Sequence, residues 1–289
     1  MTEYITAELW SKLPKVFHYK GKPTPWVTMT RPGQSLHSFL EGPCLDELGN
    51  LWLVDVPYGR VFTVNKDGQW NLHKTYDGEP HSIKQKGDGN FIISDYKKGL
   101  LEYDGKNNFK TLATEYDGTP FKGLSDLTIA PNDDIWFTDS GRTSLSDPTG
   151  NVFRYKTDGT LDHVLANVPY PNGIALSPDG KLVYLAATRA NAVWRLLADY
   201  PDPQWPMVGT FVQMSGGLGP DGLAVHENGN LVVAHAQAGR VYVYNIFGDT
   251  KAVIELPEGL WVTSVIFKDD TLYIVEAQTG SIYHVELKD

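Results

Sequence analysis

The 289-residue sequence predicts an all-β fold, a six-bladed β-propeller closed by an N-terminal strand, from two observations. One phrase recurs six times: a polar residue, a short apolar run, a Gly, Asn or Asp turn, and a second apolar run. Helical periodicity is scarce, which disfavours helical solenoids of similar repeat length.

The clearest copies are Glu41-Gly42-Pro43 before Leu51-Trp52-Leu53-Val54, Asn172-Gly173-Ile174-Ala175-Leu176 before Leu182-Val183-Tyr184-Leu185, and Asp221-Gly222-Leu223-Ala224-Val225 before Leu231-Val232-Val233. Aligning all copies on the second run puts Glu41, His81, Ser125, Asn172, Asp221 and Thr263 at one position, at intervals of 40, 44, 47, 49 and 42 residues. A third run follows in several copies, as at Gly59 to Val64 and Gly239 to Tyr244, and three or four short strands per repeat describe a propeller blade. Residues 37–289 are therefore read as blades and 1–36 as an N-terminal segment providing closure. Thr6 to Leu13 reads as a short helix, Tyr200 to Pro206 as a loop, and Val16-Phe17-His18-Tyr19 or Trp26-Val27-Thr28-Met29 as the closing strand.

Composition bounds the function. Apolar residues at 41% suffice for a core, and no run approaches the roughly 20 apolar residues of a membrane span. The first twenty residues lack a signal-peptide pattern, so a cytoplasmic monomer or homodimer without membrane contact is expected. Cys44, the single cysteine, excludes an intrachain disulfide and reads as a core residue. A net charge of −10 disfavours nucleic-acid binding.

The first strand of each blade lines the channel of a propeller, so residues of one repeat phase form a ring at one depth. All six members here are polar. An isolated Asn-Gly or Asp-Gly is ordinarily a turn, but a turn has no reason to recur in phase with a Glu of another blade. Glu41, Asn172 and Asp221 offer two carboxylates and an amide oxygen to one divalent ion, with Ca²⁺ as first choice and Mg²⁺, Mn²⁺ or Zn²⁺ as alternatives.

The runs Leu40-Glu41-Gly42-Pro43, Pro171 to Gly180 and Gly219-Pro220-Asp221-Gly222-Leu223-Ala224-Val225 resemble the signature segments of the gluconolactonase family, which includes regucalcin. The resemblance extends from Leu40 to Leu287. It implies a six-bladed lactone hydrolase with one divalent metal held at Glu41, Asn172 and Asp221, and with Asp221 as general base. Ser125-Asp126 stands where the family usually has Asn-Asp, and Gly123 where sugar-binding members carry Arg, so specificity for gluconolactone itself is not expected.

The expected reaction is hydrolysis of a small carbohydrate-derived or other hydroxy-acid lactone by water activated at the ion. His81 is a second candidate base, because its ordinary pKa suits proton transfer near neutrality. Ser125, Asp126, Thr263, His235, His37 and Trp261 are the candidate substrate contacts. Asp55, Asp95 and Asp139, fourteen residues after their ring positions as His235 is after Asp221, read mainly as turn formers. Alternative readings are an organophosphate hydrolase of the diisopropyl fluorophosphatase type and a non-catalytic calcium-binding or scaffold propeller. No Gly-x-Ser-x-Gly elbow or phosphate-binding glycine loop is found.

Overall fold

A computed structural model describes residues 2–200, 202 and 205–287 of the chain. The loop expected over 200–206 falls partly outside the described residues. Repeated units of strand, turn and strand build six four-stranded antiparallel blades, whose first strands are Leu40–Leu45, Pro80–Gln85, Leu124–Ile129, Pro171–Leu176, Gly219–Val225 and Val262–Lys268. These inner strands touch in sequence and the sixth returns to the first, closing the ring. No described helix is long and apolar enough to cross a membrane.

The second strands are apolar on both faces because each blade is covered on both sides. In blade 1, Leu51 and Leu53 pack towards blade 6, whereas Trp52 and Val54 pack towards blade 2. The same division repeats, so a separate apolar cluster fills each of the six blade interfaces. Each fully buried aliphatic side chain contributes about 1.5–3 kcal/mol, which makes interface packing the main stabilising term of the ring.

Closure occurs at the N-terminus but through other residues than expected. Glu8–Lys12 pairs antiparallel with Ser281–Glu286 as the outer strand of blade 6, and Glu3–Thr6 adds in parallel to Thr250–Glu255 of blade 5. The helix expected over Thr6 to Leu13 is therefore extended chain. Its apolar spacing suits either period, and two open strand edges decide for β pairing. Lys15–Phe17 is instead a 3₁₀ turn, and Pro25–Thr30 is an α-helix with Pro at its first position and the Thr24 side chain accepting the Val27 N–H at 3.3 Å.

This helix roofs one end of the channel. Trp26 and Val27 are buried against Phe39, Val56 and Ala277. The arm that carries it is fastened to blade 1 by Arg60, whose guanidinium donates to the carbonyls of Phe17 at 2.5 Å and His37 at 3.1 Å while pairing with buried Asp55. His37 stacks on His18 and bonds Ser38, so it works in this attachment.

All six inner strands shift register at or beside the shared polar position, between Glu41 and Cys44, Pro80 and Ser82, Leu124 and Leu127, Pro171 and Ile174, Pro220 and Leu223, and Val262 and Ser264. Such bulges bend a strand and re-aim side chains. The glycines that follow have a steric purpose: a Cβ on Gly173 would strike the Asp221 carbonyl, and one on Gly222 would lie 2.7 Å from the Thr263 carbonyl. Inner strands can approach this closely only where a side chain is missing.

Two outcomes follow from this architecture. Gly173→Ala is expected to lower unfolding free energy by about 1–3 kcal/mol, the usual cost of forcing a methylene into a packed site, as read by urea denaturation. Deleting residues 2–12 uncovers the edges of blades 5 and 6, and should produce a lower melting temperature and concentration-dependent aggregation in light scattering.

Candidate active site

The bulges deliver side chains to a cavity of about 230 Å³ beneath the helical roof. Glu41, His81, Ser125, Asn172 and Asp221, five of the six in-phase residues, line it together with Trp261. Their polar atoms link in two arcs. His81 Nδ1 lies 2.8 Å from Glu41 Oε2, and the Ser125 hydroxyl donates to Asn172 Oδ1 at 2.7 Å while Asn172 Nδ2 donates to Asp221 Oδ1 at 2.6 Å. His81 Nε2 is buried without a partner among the described residues.

Four sequence candidates are placed elsewhere. Thr263 keeps the ring phase, but its hydroxyl donates to the Leu40 carbonyl at 2.8 Å, so it joins blade 6 to blade 1. The Asp126 carboxylate accepts the N–H groups of Leu127 at 2.8 Å and Ile174 at 3.3 Å, because successive residues of a strand face opposite ways. His235 is fully buried against Tyr242 with Nε2 3.1 Å from the Gly216 carbonyl, and His37 lies in the arm attachment.

The strand-end acids read as turn formers do more than turn the chain. Asp55 accepts the Phe39 N–H at 2.6 Å, Asp95 that of Glu79 at 3.0 Å and Asp139 that of Gly123 at 2.8 Å; Glu276 accepts that of Trp261 at 3.0 Å. Every donor sits two residues before its blade's ring residue. That phase carries Phe39, Tyr170 and Trp261, three aromatic rings that line the cavity above the polar tier. Asp95 also accepts the Lys97 and Lys98 N–H groups at 2.8 Å, the turn role expected of it.

Arg31 and Tyr170 also line the cavity, outside the six in-phase positions. Arg31 belongs to the roof, outside the repeat, and its guanidinium lies over the Trp261 ring. Tyr170 could have been found by extending the phase comparison two residues towards the N-terminus.

Charge is unevenly balanced in this enclosure. Burial drives the Asp221 carboxyl well above the usual carboxylate range, and the negative charges of Glu41 and Asp126 push the same way, against the Asn172 hydrogen bond and Arg31. Burial also lowers Arg31 to about 10, although Asp221 and Glu41 favour its charged form. The Tyr170 phenol is raised by burial and then by Glu41 and Asp221, so it stays a protonated donor. For His81, burial opposes protonation, but the Glu41 charge and hydrogen bond outweigh it and raise the pKa.

The donor set fits a hard divalent cation. Among the described residues no three His, Cys, Asp or Glu side chains converge as a metal group, so the Asn172 amide is needed beside the two carboxylates. A half-turn of that amide exchanges its oxygen and nitrogen, and the Ser125 hydroxyl, both donor and acceptor, is satisfied either way. An added cation would offset the charge that Asp221 and Glu41 impose on each other.

Comparison with known proteins agrees with the geometry. The SMP-30/Gluconolactonase/LRE-like region matches residues 39–278. Lactonase drp35 of Staphylococcus aureus is 28% identical over 248 residues, covering 81% of this chain and 73% of the relative. Its Staphylococcus epidermidis counterpart is 29% identical over 249 residues, with the same coverage. A gluconolactonase structure from Xanthomonas campestris has a TM-score of 0.76 at 22% identity, covering 87% of this chain and 86% of that one. A calcium-binding regucalcin from Agrobacterium tumefaciens has a TM-score of 0.75 at 19% identity, covering 99% and 95%. At these identities both structures speak for the fold. The match over most of the chain shows that this protein belongs to the SMP-30/gluconolactonase/LRE-like family.

Proposed function

We propose that this protein is a metal-dependent lactonase that opens a small hydroxy-acid lactone, with Glu41, Asn172 and Asp221 holding one divalent ion, Ca²⁺ by the character of the donors. The observation that carries the reading is the meeting of Asp221, Glu41 and Asn172 in one roofed cavity, in a chain whose curated relatives are lactonases. Such an ion supplies Lewis-acid polarisation of an ester carbonyl and makes water more acidic.

The side chains supply the rest. Water oxygen adds to the lactone carbonyl carbon and gives its proton to a base; the ring C–O bond then breaks and the departing oxygen takes a proton, leaving a hydroxy acid. Two bases are within the cavity. Asp221 is one. His81 is the other, because Glu41 accepts the Nδ1 proton and leaves the partnerless Nε2 as the acceptor. The Tyr170 hydroxyl and Arg31 guanidinium are donors available to the developing oxyanion. Phe39, Trp26 and Trp261 form apolar walls that exclude bulk water.

Asp221→Ala is expected to abolish binding of the ion, measured as metal content per chain, and to lower kcat by at least 10²–10⁴-fold, the range of general-base catalysis. Chelation should abolish turnover and Ca²⁺ should restore it; wild-type turnover after complete metal removal would overturn the assignment. His81→Ala should retain the ion yet lose about a hundredfold in kcat, whereas a loss of only a few fold assigns the proton transfer to Asp221.

Gluconolactone is expected to be a poor substrate in a lactone panel. The Ser125 hydroxyl is engaged by Asn172, and the Tyr96 ring occupies the space that any side chain at position 123 would need. Steady-state kinetics placing gluconolactone at the top of the panel would contradict this.

A further inference from the structure

The chain is acidic overall, yet the entrance to its cavity is basic. A second depression of about 650 Å³ adjoins the cavity and shares Trp26, Thr30, Tyr170 and Arg189 with it; its far side carries Arg142 and the hydroxyl groups of Ser144 and Ser146. Arg60, Arg154 and Arg240 each pair with a carboxylate. Arg142 and Arg189, in contrast, have no carboxylate within 4.0 Å among the described residues. Arg142 is steadied by neutral groups, donating to the Thr30 hydroxyl at 3.4 Å and hydrogen-bonding Tyr96, while Arg189 lies over the Tyr170 ring at 5.7 Å. Both guanidinium groups are exposed and keep donors free. An acidic protein with two unpaired arginines beside its cavity has the makings of an anion site, since a guanidinium recognises a planar carboxylate through two parallel hydrogen bonds.

We infer that the substrate carries a second, non-reacting carboxylate, which Arg142 and Arg189 receive in the outer depression while the lactone ring lies over the polar tier. The inference rests on the lactonase reading for the ring, but the anion site itself does not depend on catalysis. Tyr170, which lines both spaces, marks the passage between them. The field of the two arginines also steers anions to an entrance that the net charge of −10 would otherwise make unfavourable.

The test compares glucaric acid 1,4-lactone, which bears a free carboxylate, with the neutral gulono-1,4-lactone, using the metal-loaded protein. Wild-type kcat/KM should favour the anionic lactone by about tenfold or more, the size of a charge-assisted hydrogen bond, and the preference should shrink in 0.5 M salt. Arg142→Gln and Arg189→Gln should each reduce that preference about tenfold, chiefly through KM. Preference for the neutral lactone, or an unaltered ratio in both variants, would overturn the inference. Calorimetric binding of the ring-opened dicarboxylate, glucarate, separates the two readings. Binding that weakens in both variants supports the anion site even if no lactone is turned over, which would count against the lactonase alone; binding unaffected by both substitutions refutes the site. A phosphate-bearing lactone preferred over the carboxylate one by tenfold would likewise refute the carboxylate assignment.

Discussion

The geometry of the cavity depends on a buried carboxylate gripping a backbone N–H. Four blades end their second strand with an acid whose oxygen receives the amide two residues before the ring position, from Phe39, Glu79, Gly123 and Trp261. Charge-assisted hydrogen bonds of this kind are short and directional. They fix where each inner strand begins, and the bulge that follows then turns the ring residue inwards. Burial raises the carboxyl pKa of Asp55, Asp139 and Glu276, and the amide bonds that each acid accepts act to lower it. A group held against its own desolvation tolerates little movement, which suits a scaffold that must hold side chains to a fraction of an ångström.

The polar tier itself is poorly matched to a folded interior. Two carboxylates are enclosed together, a histidine nitrogen has no partner among the described residues, and Gly173 and Gly222 leave the strand backbones almost touching. None of this follows from stability. Six apolar interfaces around the channel supply enough packing to hold such a group of side chains in place. Local unfavourable chemistry supported by a rigid surround is the pattern expected where a protein binds and transforms a ligand.

The ring was legible in the sequence because its members share a phase that secondary structure alone does not require. Phase, however, fixes the position of a Cα atom and not the direction of a hydroxyl, so Thr263 occupies its predicted place with its side chain bonded to the backbone. Asp126 follows Ser125 by one residue, a step that reverses the facing along a strand, so its carboxylate meets backbone N–H groups. His235 was grouped with the strand-end acids, and it does share their buried, loop-holding position. The roof lies before the first repeat, where there is no second copy to align, and Arg31 and Trp26 were therefore invisible as site residues. The closing strand failed for a related reason: between Thr6 and Leu13 the apolar spacing allows both periods, and what decides is an edge contributed by residues more than two hundred positions away.

That distant edge also orders events in the life of the chain. Glu3 meets Ala252 and Leu9 meets Tyr283, so strands synthesised before any of the blades are among the last to find partners. Blades 1 to 4 can stack on one another as they emerge, each contact spanning only a repeat or two. The N-terminal arm must meanwhile wait with its backbone groups bonded to water, and the loop it finally closes carries the largest entropy cost in the fold. Ring closure, and with it the docking of the Trp26 roof against Ala277 of the last blade, thus becomes the late step that converts a string of stacked sheets into a vessel with an interior.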